Sequence, residues 1–162
     1  MTLTSLLPTL RDSIPTPFDT VAWPHGAHPT LDDVVVRGIS LLRYEDLCGT
    51  PCVLSGPAVV PLSGGSASTT DATTVIVARI VGADASSVRL DASFSRLAPL
   101  WREARLIGRV SHAYEDPFAV YGVHASASSG VVRLPGDPRV GDLVAVPCPG
   151  AVALGDLRGE GR

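Results

Sequence analysis

Ser111-His112-Ala113-Tyr114-Glu115-Asp116 sets a hydroxyl, an imidazole, a phenol and two carboxylates side by side in the chain. Histidine titrates near neutrality and a neighbouring carboxylate can fix its tautomer, so a strand end of this composition could supply a general acid and a general base. Successive residues of a strand point to opposite faces, however, and Ser111 can pair with His112 only if the strand has already turned. An exposed polar strand end is the competing reading of the same residues. Elsewhere the reactive types are sparser. His25 and His28 form a His-x-x-His without cysteine or acidic partners at ligand spacing, which predicts loop residues and no metal centre. Cys48 and Cys52 lie one residue further apart than a redox Cys-x-x-Cys and are read as structural.

The elements that must hold these residues are short and rich in β-formers. Strands are predicted over 74–81, 88–93, 104–112, 118–124, 130–134 and 143–146, with turn signals such as Gly82-Ala83-Asp84, Asp116-Pro117 and Pro135-Gly136-Asp137-Pro138 between them. That rhythm predicts an all-β fold, a single barrel or sandwich, with room for one helical turn inside 94–102. Upstream, Pro8, Pro15, Pro17, Pro24 and Pro29 punctuate residues 1–30 and predict an extended arm holding one short helix over 3–13. Val34 to Val36 read as a strand, 41–47 as a short helix, and 52–60 as a strand broken near Gly56-Pro57. The Ser-, Gly- and Thr-rich stretch within 61–72 reads as a flexible linker. The predicted organisation is therefore an arm over 1–30, one β domain over 31–155 and a frayed tail over 156–162.

Two groups of blocks carry a family likeness. Near the start come Val21-Ala22-Trp23-Pro24-His25, Val34-Val35-Val36-Arg37-Gly38-Ile39-Ser40-Leu41 and Leu47-Cys48-Gly49-Thr50-Pro51-Cys52-Val53-Leu54. Later come Arg89-Leu90-Asp91-Ala92-Ser93-Phe94-Ser95, Glu103-Ala104-Arg105-Leu106-Ile107-Gly108-Arg109 and Gly141-Asp142-Leu143-Val144-Ala145-Val146-Pro147-Cys148-Pro149-Gly150-Ala151. In this order they resemble the leader and the C-terminal β domain of bacterial diaminopimelate decarboxylases. Those are pyridoxal-phosphate (PLP) enzymes of the alanine-racemase-like fold type III, built from a (β/α)8 barrel and a separate all-β domain. The resemblance implies a single β domain like theirs from which the (β/α)8 barrel is missing, with Pro57 to Ala72 bridging the gap.

The departures from the family pattern decide what chemistry is expected. The chain contains no lysine, whereas the family holds its cofactor as a lysine Schiff base. Where the family carries Cys-Glu-(Ser/Ala)-Gly-Asp, this chain has Ser111-His112-Ala113-Tyr114-Glu115, and where Gly-Ala-Tyr closes on the cofactor phosphate it reads Gly150-Ala151-Val152. PLP chemistry needs an amine nucleophile and a proton-handling group, so no cofactor and no decarboxylase activity are expected. The resemblance places Ser111, His112, Tyr114 and Glu115 where the related enzymes keep their chemistry. It also places Asp91 and Ser93 on a segment that reaches toward the cofactor site. Phe94, Trp101, Phe118, Tyr114 and Tyr121 fall where the related β domain packs on the barrel and on a second subunit. With Asp116, residues 91, 93, 94, 101 and 121 are therefore the expected lining of a remaining substrate pocket, on an apolar face that must find a ligand or a partner.

Composition bounds the function classes. A net charge of −3 with a pI near 5.7 gives no electrostatic footprint for nucleic acid or anionic membrane. No transmembrane run is present in the sequence, and Met1 to Pro8 lack the basic and apolar regions of a signal peptide. With three cysteines, this predicts a reduced cytoplasmic protein. Two functions follow as expectations. One is a cofactor-free enzyme of cyclase or isomerase type in secondary metabolism, acting on a small apolar metabolite. The other is a non-catalytic interaction subunit or ligand-binding protein that docks on a biosynthetic partner protein. A homodimer is expected by analogy with the related enzymes.

Overall fold

Val75, Ile76, Val77 and Ala78 are buried one after another, which a strand achieves only when both of its faces are covered. In the computed structural model, which describes Leu7 and residues 13–159, this run lies at the centre of the longest strand, β5 (Ala67–Ala83). Its even-numbered residues Ile76, Ala78 and Ile80 enter one apolar core, and Val75 and Val77 enter a second. β10 (Leu143–Pro149) does the same, sending Val144, Val146 and Cys148 to the first core and Leu143 and Ala145 to the second.

The remaining strands are β4 (Cys52–Val59), β6 (Ser87–Leu90), β7 (Arg105–Ile107), β8 (Glu115–Tyr121) and β9 (Gly130–Pro135). The seven-stranded sheet runs β7-β10-β5-β6-β8-β9, with β4 also paired to β5. It is antiparallel except between β6 and β8. It curls into a nearly closed barrel, so the all-β reading holds. β6, β8 and β9 alternate: Val88, Leu90, Phe118, Val120, Val132 and Leu134 point into the first core, while Arg133 and Val131 face outward. One covered face is the ordinary cause of such period-two patterning. The sheet order ends at β7 and β9, which share no ladder. Trp101, in a 3-10 turn (Trp101–Glu103), bridges that seam: its indole Nε1 donates to the Ser129 carbonyl at 3.2 Å.

The second core explains the outer face. Trp23, Val34, Val36 and Leu41 are buried against Val75, Val77, Ala145 and Ile107. Trp23 precedes, and the others belong to, a small sheet of β1 (Ala27–Pro29), β2 (Val34–Val36) and β3 (Ile39–Ser40) followed by helix α1 (Leu41–Cys48). Buried Asp33 organises this layer: it accepts from the Val34 amide at 2.7 Å, the Leu42 amide at 3.2 Å and the Ser40 hydroxyl. Ser40 in turn caps α1 through the Arg43 amide.

Several expectations need correction here. The segment 61–72 is not a linker: 67–72 are the first residues of β5, and 60–66 form the turn of the β4–β5 hairpin, closed by Val60 N to Ser66 O at 2.8 Å. Ser63 gives the turn its own bonds, to the Val60 carbonyl and from the Ser66 amide, so its serines serve local closure. β4 continues through Gly56-Pro57 in place of the predicted break, with a register shift between Pro57 and Val59. The strand expected over 104–112 ends at Ile107. The arm over 1–30 holds β1 at its end, and the helix expected over 3–13 falls almost wholly outside the described residues. So do residues 160–162 of the tail, while Leu154–Leu157 make a 3-10 turn with Leu157 buried.

Candidate functional site

The seam between β7 and β9 opens into a groove of about 720 Å³. One wall is the arm, with Ile14, Thr16, Pro17 and Phe18; the opposite wall comes from the loop between β7 and β8 and the ends of β8 and β9. The arm is held there by aromatic and ionic contacts. Phe18 stacks on Trp23 with ring centroids 4.7 Å apart, and the Arg105 guanidinium lies 5.4 Å from the Phe18 ring centre. Glu103 ties the same corner, accepting from the Asp19 amide at 3.1 Å and the Trp23 indole at 3.3 Å.

Arg105 is the first residue of β7 and lines this groove. Its Nη2 donates to the Thr16 carbonyl at 2.7 Å, and no described carboxylate stands within 4.0 Å of it. Burial pulls its pKa down to about 10, against the more distant pull of Glu103 and Glu115. A guanidinium has five donor hydrogens, and among the described residues this one donates to the Thr16 carbonyl. Arg102 and Arg133 also line the groove; both are exposed.

Arg109 is used differently. It grips Asp142 with two nitrogens, at 2.9 and 2.7 Å, and reaches the Asp137 carbonyl at 2.8 Å and carboxylate at 3.3 Å. The Asp142 hydrogen bonds outweigh burial and raise its pKa. Ser111 is buried, and its hydroxyl donates to Asp137 Oδ1 at 2.5 Å. Burial works against ionisation of Asp137, but the Ser111 hydroxyl and the Arg109 charge prevail and hold its carboxyl below the usual range. A carboxylate so stabilised is a weak base toward the serine hydroxyl. The arrangement is a clamp on the loop after β7, and the Ala113 amide completes it by donating to Ser111 Oγ at 3.2 Å.

The structure therefore brings together only some of the residues singled out in the sequence. Ser111, Tyr114 and Glu115 line the groove, Tyr114 at its exposed rim and Glu115 at the start of β8. His112 is exposed and is not part of the lining. The expected pocket residues lie elsewhere. Asp91 accepts from Thr50 Oγ1 at 2.6 Å and the Arg79 amide at 2.8 Å, joining β5 to the turn before β4. Ser93 is buried and donates its amide to Leu157 O at 2.7 Å. Phe94 and Trp101 meet edge to face at 4.9 Å inside the first core with Phe118, so these three aromatics are barrel interior and not a docking face. Asp116 is exposed on β8, and Tyr121 carries the Arg89 guanidinium 5.3 Å from its ring centre. The sequence reading named the arm but gave neither it nor Arg105 a place in the site. The available signal was a lone charge in the apolar run Ala104-Arg105-Leu106-Ile107.

Among the described residues, no three His, Cys, Asp or Glu side chains are grouped to hold a metal ion, and no helix is long and apolar enough to cross a membrane. No protein-family model matches the chain, and no significant match to it was found among curated proteins or solved structures.

Proposed function

We propose that the seam groove binds a small, partly apolar metabolite and that the chain acts on it without PLP, as a cofactor-free enzyme of cyclase or isomerase type. The observation that carries this reading is the convergence of Arg105, Tyr114 and Glu115 on one groove with apolar walls from Ile14, Phe18 and Leu31. Its volume falls in the range of small-molecule sites, and a few polar groups in an apolar lining are their usual composition. Within it Glu115 supplies a carboxylate for proton transfer, Tyr114 a phenolic donor to an oxyanion that develops during reaction, and Arg105 a fixed positive charge that orients the ligand. Apolar walls would hold one reactive conformer. Descent from a decarboxylase β domain belongs to the same reading and rests on the sequence blocks quoted above.

Binding without turnover is favoured by one observation: Ser111 is committed to Asp137 and His112 lies outside the lining. Native mass spectrometry of the protein from its own host separates these readings from a docking subunit, because subunit count and retained small molecule are read together. A bound metabolite that is lost in Leu31→Arg supports the groove; a stable assembly with another protein and an empty groove overturns it. With that metabolite as substrate, Glu115→Gln and Tyr114→Phe lower kcat by about 10²-fold or more while binding persists if the site is catalytic. Ser111→Ala/His112→Ala leaves kcat within a few-fold. Unchanged kcat in Glu115→Gln assigns the groove to binding alone.

A further inference from the structure

Arg105 differs from the other described arginines of the groove in how its charge is met. Arg109 is neutralised by Asp142 and Asp137, and Arg102 and Arg133 are exposed at the rim, Arg133 donating to the Glu115 carbonyl at 3.3 Å. Arg105 is held between the arm and β7 by a backbone carbonyl and an aromatic face, neither of which cancels a unit charge. A cation withdrawn from water without a bonded carboxylate is costly. It is least costly when a ligand supplies the missing anion, with which a planar guanidinium makes paired hydrogen bonds.

The surroundings restrict which anion. Glu103 and Glu115 stand in the same lining and are the charges that act on Arg105, while Arg109 is paired with its aspartates and Arg102 and Arg133 are exposed at the rim; beside the anchor, two carboxylates disfavour a dianionic phosphate more than a singly charged group. Ile14, Phe18, Leu31 and Leu106 offer apolar contact beyond the charge. Resting on the reading of this groove as a small-molecule site, we propose that Arg105 is its specificity-determining residue and that the ligand is a monocarboxylate with an apolar body.

The full-length protein tests this with 3-phenylpropanoate, 3-phenylpropanamide and phenyl phosphate as probes, each titrated while backbone amides are followed by NMR. The expected result is that 3-phenylpropanoate shifts the amides of Arg105, Leu106, Val110 and Tyr114. It should bind about tenfold or more tightly than the amide or the phosphate, as a charge-assisted hydrogen bond implies. Arg105→Met should abolish that preference and leave the weak amide binding intact. Arg105→Lys, which keeps the charge and the fold but loses the fork, should retain part of it. Equal affinity of acid and amide in the groove of the unaltered protein overturns the carboxylate assignment while the groove reading stands. Tighter binding of phenyl phosphate overturns it in favour of a phosphate ester. If no probe moves the groove amides, the groove reading itself falls and the assignment falls with it.

Discussion

Asp137 receives the Ser111 hydroxyl on one oxygen and Arg109 on the other, and both bonds are stronger while it is ionised. Its folded carboxyl titrates below the unfolded one, so the clamp contributes fully above the ordinary aspartate range and is lost as pH falls through the folded value. Asp137→Asn should therefore flatten the acid limb of a stability–pH profile measured by urea unfolding. Ser111→Ala should cost about 1 kcal/mol at neutral pH. The cysteines give a second test. Cys48 is exposed, whereas burial pushes the Cys52 thiol up to about 12 and raises Cys148 as well. An aromatic disulfide reagent at neutral pH should modify one thiol per native chain, and none in Cys48→Ser, because only a thiolate reacts. At this scale the sequence exposed Ser111, Tyr114 and Glu115, since polar side chains clustered beyond a strand are visible as such. Arg105 was not legible. Its character depends on a carbonyl 89 residues away and on burial, neither of which spacing encodes.

Among the elements, the apolar centre of β5 was readable as a strand over 74–81 although its first residues, 67–72, were not, and the helix expected over 41–47 matches α1 within a residue. The hairpin turn at 60–66 was misread because serine and glycine satisfy a tight turn and a flexible linker equally well. β7 proved shorter than its apolar pattern because Gly108 follows with φ +91°, beyond which Arg109 leaves the strand for its aspartates. Closure of the seam rests on the contact of Trp101 with β9. A Cβ on Gly130 would stand 2.4 Å from the indole Cδ1, with the ring already packed on Phe94. Gly130→Ala should destabilise the protein by about 1–3 kcal/mol in denaturant unfolding, and it should alter tryptophan fluorescence before any change in strand content.

The whole molecule is a barrel with an outer layer, and the second core is what the two share. Trp23 is fully buried there and hydrogen-bonded to Glu103. Trp23→Ala should cost about 3–5 kcal/mol. The barrel and the outer layer should still melt in one transition, which calorimetry would read as a single peak. An all-β architecture followed from the regular turn signals. The covered outer face did not, because the proline-rich segment that covers it has no periodic pattern of its own, and the groove exists only where that segment meets the seam.

β10 is the strand that joins β7 to β5, since β7 has no other ladder partner among the described residues. A chain extending from the ribosome can form the β4–β5 and β8–β9 hairpins as soon as each emerges, but neither core can seal until residues 143–149 have been made and inserted. Acquisition of the native state is thus a late event dominated by pairings distant in sequence, a regime in which folding is slow. In a pulse-labelling hydrogen-exchange experiment, the β7 and β10 amides should gain protection together and after those of the hairpins. The groove, whose edge is β7, is the last part of the molecule to come into being.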